Sequence, residues 1–424
     1  MKKTISILLA GALALSLAAC GKTQATGSVS FPTESAQSQL PVQEPLENPG
    51  LRLANQSSET GFFSRNLTFS SKTDHRHRLG YVDYAAATEN ILCADSTCTH
   101  ETDSCTAVAP KEGTWCAGIT AVNNDTMIYV LCTLDHSKGG VYTMHKDGTD
   151  FKTLAETGPG IDFFGIAALD EHYVYIFCGE LNEDMEKIKN FIGKVPLSGG
   201  DLQEVAEVEA GCSGVGTDGR SLILQLTNTK NDMDFVGLDL DTGEMTPLFT
   251  WQSKGNHYIG IAKKQADKIY GFTDETAASL HWSSLDGSSG DIELHWPQEM
   301  SWAEHTSAVL ELVTPDAASV VLYAPDKNIA KRYTITLADG SVKENTLTMK
   351  NNGEMVGLVG FNQDTALIEI LYQDEWSETV GEDGTPQDEL TIISRLAVMP
   401  LESFLAGSTD YTEIQPLTEG GQEP

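Results

Sequence analysis

A unit of about 48 residues recurs through most of this chain and constrains its fold more than any other feature. Each copy has a short apolar strand, a turn carrying Asp, and a second strand rich in β-branched, aromatic and large aliphatic residues. The six clear copies run Gly118 to Leu131 around Asp125, Gly165 to Phe177 around Asp170, and Gly214 to Leu226 around Asp218. They continue with Ile259 to Phe272 around Asp267, Val309 to Tyr323 around Asp316, and Val356 to Leu371 around Asp364. Successive aspartates lie 45, 48, 49, 49 and 48 residues apart. A period held that steadily marks a repeat architecture, in which each unit buries its faces against its neighbours.

The remainder of each unit reads as a second hairpin. Asp147-Gly148, Gly199-Gly200, Thr242-Gly243, Asp286-Gly287 and Asp339-Gly340 supply the positive φ that tight strand connections need. Strands such as Phe151 to Leu154, Leu202 to Ala206 and Met245 to Phe249 follow these turns. Four antiparallel strands per unit of this length predict an all-β fold, a β-propeller. Gly61 to Leu92 reads as a degenerate first blade, giving seven, with six or eight as alternatives. A linear β-solenoid or a pair of β-sandwiches would use the same strands, but a ring removes most of the exposed edges. The last strand, Tyr411 to Leu417, either completes blade seven or pairs with blade one. Helical periodicity after the first segment is confined to a few residues near Glu402 to Leu405.

The propeller is expected to span 51–418, followed by a disordered tail at 419–424. Residues 1–19 read as an export signal: Lys2 and Lys3 start it, Ile5 to Leu17 are almost wholly apolar, and Ala18-Ala19 precede Cys20. The apolar run is too short for a spanning helix. Leu17-Ala18-Ala19-Cys20 resembles the lipobox of bacterial lipoproteins, which implies a diacylglyceryl group on Cys20 and an anchor in the cell membrane on its extracytoplasmic face; two acyl chains suffice for stable anchoring. The alternative is a plain secreted protein. Residues 20–50 are rich in Ser, Thr, Gln, Pro and Gly and read as a flexible linker. The formal charge of −34 makes nucleic acid and anionic lipid headgroups poor partners.

In a propeller, the connections between blades and those between second and third strands share one face. The Cys-rich segment 93–116, the Trp-containing loop 293–306 and the acidic loops 179–190 and 373–389 all fall on that face, which makes it the candidate functional surface. On it, Trp296 and Trp302 with His305 form a candidate stacking surface for a ligand ring, or else cover the edge of the blade core. Acidic clusters such as Asn182-Glu183-Asp184 lack Ca2+-loop spacing.

Eight cysteines are present. Cys132 and Cys178 occupy matching strand ends and read as small buried core residues, as does Cys212. Cys93, Cys98, His100 and Cys105 make a compact Cys-x4-Cys-x-His-x4-Cys segment. Three thiolates and an imidazole are a complete tetrahedral set for structural Zn2+. Export favours disulfides among the same cysteines, with Cys116 as a further partner, and free thiols are the third option.

The segment Ile91 to Cys105, together with the lipobox and the repeats, resembles a group of lipoproteins from anaerobic Gram-positive bacteria. Their propeller is related to a family of domains of unknown function. Here Ala94-Asp95-Ser96 replaces a stretch that would contain Pro. The resemblance implies the fold and the cysteine segment, and no activity.

No Gly-x-Ser-x-Gly elbow, His-Glu-x-x-His helix or phosphate loop occurs, and no catalytic residue is assigned. The leading expectation is a monomeric, non-enzymatic surface protein that binds an extracellular protein, peptide or glycan. A propeller hydrolase or lyase acting on polysaccharide is the second reading, and a structural scaffold of the cell envelope the third. Convergent carboxylates or a Tyr/His pair at the axis would favour catalysis, and a plugged or apolar channel would favour binding.

Overall fold

The computed structural model describes residues 50–415 except 66–77, 101, 103, 110–112, 183–185, 229–231, 253–259, 274–276, 298–306, 325–328 and 381–385. The expected signal, Cys20, nearly all of the linker and the tail lie outside these residues. Strand β1 is Arg52–Leu53. The remaining strands form seven antiparallel sheets, taken here in chain order. Blade one holds β2 (Gly61–Arg65), β3 (Leu79–Asp83) and β4 (Thr88–Ile91). Blade two holds β5 (Thr114–Ala121), β6 (Thr126–Thr133), β7 (Gly139–His145) and β8 (Lys152–Thr157). Blade three holds β9 (Ile161–Leu169), β10 (Tyr173–Leu181), β11 (Lys187–Pro196) and β12 (Gln203–Glu207). Blade four holds β13 (Ser213–Asp218), β14 (Ser221–Thr227), β15 (Met233–Asp239) and β16 (Met245–Trp251). Blade five holds β17 (Lys263–Gln265), β18 (Lys268–Gly271), β19 (Ser279–Ser284) and β20 (Ser289–Glu293). Blade six holds β21 (Ser307–Val313), β22 (Ala317–Ala324), β23 (Ile329–Thr336) and β24 (Val342–Asn345). Blade seven holds β25 (Gly357–Phe361), β26 (Thr365–Val380), β27 (Pro386–Pro400) and β28 (Thr412–Glu413).

Strand alternation is what turns these sheets into a ring. Along β6, Met127 and Tyr129 pack toward blade one, while Ile128 and Val130 pack toward blade three. The same division recurs, so an apolar cluster fills each seam between consecutive blades. The seventh seam joins Phe62, Val82 and Tyr84 of blade one to Leu367, Leu396 and Val398 of blade seven. The chain is thus a closed, seven-bladed β-propeller.

Blade one is the irregular member. Its inner position is taken by residues 55–58, which make few ladder contacts: Phe63 N–H donates to Gln56 O at 3.0 Å, Ser58 N–H to Gly61 O at 2.7 Å, and Ser57 pairs with Phe62. The last strand does both things the sequence left open. β28 pairs with β27, and Gln415 beyond it forms a parallel bridge to Thr88 in blade one. Ile414 lies buried in that closing seam. The short helix α1 (Leu401–Ala406) covers blades six and seven through Leu401 and Phe404.

The evenly spaced aspartates hold unequal jobs. In blades two and seven the turn is tied by Asn123 and Asn362, whose Oδ1 atoms accept the backbone N–H of Asp125 and Thr126, and of Asp364 and Thr365. In blade three Asp170 itself accepts from His172 and Tyr173. The period is that of the turns, within which the capping Asx residue shifts by a position or two.

Two loop expectations need correction. The segments 179–190 and 373–389 are largely ladder: Glu180 pairs with Lys189, and β26 and β27, after one bulge between Glu369 and Leu371, stay paired out to Val380 opposite Pro386. Acidity suggested loops, but Trp376, Thr379 and Val380 on one strand, and Thr391, Ile392 and Ile393 on the other, are strand formers. At 16 residues, β26 is twice as long as β6 with its 8. It therefore carries about 27 Å of extra two-stranded ribbon at roughly 3.4 Å per residue.

Candidate metal centre

The cysteine segment connects blade one to blade two and is tied back to blade one at several points. Leu92 N–H donates to Leu79 O at 2.9 Å, continuing the β3–β4 pairing by one residue, so Cys93 starts where the blade ends. A tight turn follows, in which Asp95 Oδ1 accepts from the Thr97 amide and hydroxyl and Cys98 N–H returns to Asp95 O. The Thr97 hydroxyl and amide hold the Asp95 carboxyl below its ordinary range. Past the turn, His100 adopts the left-handed conformation at φ 58°. The Nε–H of Arg78, itself 2% exposed, donates to the His100 carbonyl at 2.7 Å. A buried guanidinium thus holds the residue that, among the described residues of Cys93 to Cys105, has a left-handed backbone. The far end is fixed by Leu79 N–H to Ala107 O at 2.7 Å and by the Thr106 hydroxyl to Leu92 O.

These ties bring together all four residues that the spacing singled out. One ligand atom each from Cys93, Cys98, His100 and Cys105 lies within 4.8 Å of the others. His100 Nδ1 is 3.4 Å from Cys105 Sγ, and the His100 amide donates to Cys98 Sγ at 3.4 Å. Ligands on a tetrahedral Zn2+ sit about 3.4–3.8 Å apart given Zn–S and Zn–N lengths near 2.3 and 2.0 Å. The set therefore needs only a small contraction to enclose an ion.

Electrostatics point the same way. Burial, with the neighbouring Cys98 and Cys93 sulfurs, pushes the Cys105 thiol up to about 12. Three sulfurs packed together resist ionising unless a cation shares the site. Burial and then Arg78 lower His100, which keeps the imidazole in the neutral form that coordinates metals. Around the cluster, Cys105, Ala107, Val108 and Ala109 are core residues of the seam between blades one and two. Cys105 is buried and the other three are half-buried, so the site lies at the edge of that seam with four protein donors, a set suited to a structural ion.

The other cysteines stand apart from it. Cys116 is buried in the same seam with its thiol directed to Gly118 O at 3.7 Å. Cys132 and Cys178 are buried core residues of the next seam, and Cys132 Sγ accepts Phe163 N–H at 3.2 Å. Burial raises the Cys132 thiol to about 12. All seven cysteines among the described residues, Cys212 included, are unbridged thiols. Arg78 went unnoticed in the sequence, because nothing in its spacing marks it as the support of His100.

Trp296 lies half-buried in the seam of blades five and six. Its indole N–H donates to Ala277 O at 2.8 Å, and its ring meets Tyr333 edge-on at 5.3 Å. Trp302 and His305 lie outside the described residues.

At the axis, the segment that precedes blade one crosses the ring. β1 pairs antiparallel with the turn end of β9, Arg52 opposite Leu169 and Leu53 opposite Ala168. Arg52 also donates to Ala121 O and Val122 O of blade two at 2.8 and 2.6 Å, and the Thr217 hydroxyl of blade four donates to Leu51 O. Ala121, Leu169 and Thr217 all immediately precede first-to-second-strand turns. Leu51 to Asn55 therefore occupy the axial opening beside blades two to four, at the end where the Asp turns gather. No helix among the described residues is long and apolar enough to cross a membrane.

No family profile and no curated protein sequence matches the chain. Among solved structures it is similar to a prolyl endopeptidase at 13% identity and a TM-score of 0.50, over 83% of this chain and 54% of that one. It also resembles the β-propeller domain of the Trilobed protease from Pyrococcus furiosus, at 9% identity and a TM-score of 0.43, over 86% and 98% of the two chains. An oligogalacturonate lyase in complex with manganese aligns at 14% identity and a TM-score of 0.40, over 82% and 84%. The chain spans about half the length of the prolyl endopeptidase, and likeness at these identities is one of fold alone.

Proposed function

We propose that this chain is an extracytoplasmic binding protein, held at the cell membrane by lipid on Cys20 and stapled between its first two blades by Zn2+. The observation that carries this reading is the course of Leu51 to Asn55. By occupying the axial opening, it fills space where a propeller enzyme would gather reacting groups from several blades. It also brings the chain in on the face of the short Asp turns. An anchor at Cys20 would then lie on that side, leaving the opposite face, with the 365–400 ribbon and the inter-blade connections, turned outward. Long connections on a rigid ring are where ligand contacts concentrate. A protein, peptide or glycan is the ligand class that such a broad rim suits, and Zn2+ on Cys93, Cys98, His100 and Cys105 would fix the longest described connection.

The test has two arms. Fatty-acid labelling in cells is expected for the wild type and absent in Cys20→Ala; equal labelling of both removes the anchor. The soluble 21–424 fragment is expected to bind in a glycan and peptide screen, with one zinc per chain by elemental mass spectrometry. A screen without binders overturns the binding reading, and a metal-free sample overturns the staple.

A further inference from the structure

The seam between blades four and five holds a second chemical constellation, independent of the metal cluster and of the binding face. Asp286-Gly287 closes the β19–β20 hairpin and sets His281 directly across from Asp291. Asp291 Oδ1 lies 2.9 Å from His281 Nδ1. Ser283, two residues along and on the same face of β19, brings its Oγ to 3.4 Å from His281 Nε2. From blade four the Trp251 indole N–H donates to the same Oγ at 2.8 Å, and its ring meets the imidazole edge-on at 5.1 Å.

The polarity of this chain is fixed by its ends. A carboxylate only accepts, so the imidazole carries its proton on Nδ1. An indole N–H only donates, so the Ser283 hydroxyl accepts from Trp251 and turns its own proton toward the bare Nε2. Oriented carboxylate, imidazole base and hydroxyl then stand in the order that activates a serine nucleophile. Ser283 and His281 face a cavity of about 310 Å³, shared with Phe249, Thr273 and Ser289. That volume is at the small end for ligand pockets.

We propose that Ser283 is a nucleophile for short-chain acyl esters, with His281 as its general base and Asp291 as the residue that positions His281. The Oγ–H proton passes to Nε2 as Oγ bonds to the acyl carbon. The ester C–O bond then breaks, the departing alcohol takes that proton, and water releases the acyl group by the reverse sequence. Hydroxyl-bearing neighbours such as Thr273 and Ser289 suit a polar alcohol.

Full-length protein treated with a fluorophosphonate probe should carry one adduct, on Ser283, with fluoride displaced, and should hydrolyse p-nitrophenyl acetate. His281→Gln is expected to slow both about 100-fold or more. Asp291 is more than half exposed, so Asp291→Asn should keep the wild-type Tm; it should lower kcat at least tenfold with KM unchanged and alter the pH profile, and Asp291→Glu should restore part of the rate. An adduct absent or on another residue, or Asp291→Asn with wild-type kcat, overturns the proposal and leaves the binding reading untouched.

Discussion

Arg220 in the turn of blade four donates to the Asp170 carboxylate in the turn of blade three at 2.6 Å, joining two blades where no backbone pairing does. The same guanidinium holds Asp241 of its own blade at 2.9 Å and reaches the Tyr175 hydroxyl at 3.1 Å. Asp170 is nearly inaccessible, with its side chain 2% exposed, whereas Arg220 is 42% exposed. The arginine therefore gives up less hydration than the carboxylate gains in partners.

Replacing Arg220 by Ala should cost about 1–2 kcal/mol, discounted from a fully buried pair because the guanidinium is partly in water. Burial alone would raise the Asp170 carboxyl. Arg220 and the His172 and Tyr173 amides outweigh it and leave the group below its ordinary value. A depressed carboxyl stabilises the fold above its unfolded pKa, and that stability disappears as pH falls through the folded value. Melting wild type and Arg220→Ala from neutral to acid pH should show a Tm gap that narrows toward acid; a constant gap would mean the arginine acts through packing.

Gly340 and Gly287 both occupy left-handed turns, at φ 69° and 88°. At Gly340 an added Cβ would strike the Glu293 carbonyl of the neighbouring blade, and the Gly340 carbonyl accepts His295 N–H at 2.9 Å. At Gly287 nothing lies within 4 Å of that position. Gly287→Ala should therefore cost about 1 kcal/mol, the backbone term alone. Gly340→Ala adds a clash between blades and should lose 3 kcal/mol or so in urea unfolding. Equal losses would show that the close approach has no energetic weight.

The ring was legible because its period comes from turn chemistry, and turns need Gly, Asn or Asp whichever apolar residues fill the strands. The inner strand of blade one was not. Asn55, Gln56, Ser57 and Ser58 have no alternation to read, and side-chain contacts hold them instead: Asn362 donates to Ser58 O and Glu59 O from blade seven, and Asn124 reaches Glu59 from blade two. β1 is two residues long and takes its place from the ring around it. The metal cluster was visible because its ligands are neighbours in sequence. The Ser283, His281 and Asp291 chain had a signal that went unused: a three-residue Leu285-Asp286-Gly287 turn, centred on Asp286, pairs residue 281 with 291. Its third contact, from Trp251, depends on how two blades meet, which local sequence does not encode.

The Cys93, Cys98, His100 and Cys105 set predicts its own dependence on metal. One zinc per chain is expected in the wild type, and Cys105→Ser should lose it, because that sulfur touches His100 and lies at the buried end of the cluster. Cys116→Ser should keep full stoichiometry, since its sulfur points to Gly118 O instead. Chelation should lower the wild-type Tm to that of Cys105→Ser and leave the Cys105→Ser value unchanged. A chelator that shifts both proteins alike would place the metal elsewhere.

The ribbon of blade seven separates stability from recognition. From Thr365 to Leu371, β26 lies within the sheet; Ile368 and Ile370 are fully buried against Phe361 and Phe404, so this half belongs to the core. Beyond it, among the described residues, the ladder continues as two strands, β25 ending its register at Glu369 and β28 covering only Ala397 and Val398. Replacing 375–391 with a two-residue Asn-Gly turn removes this extension and leaves the blade core untouched. The shortened protein should melt within a few degrees of the wild type, because the pairings of blade seven with β25 and β28 lie outside the replaced residues. Its affinity for a ligand found in the glycan and peptide screen should fall at least tenfold. Undiminished binding would move the recognition surface from the ribbon to the inter-blade connections.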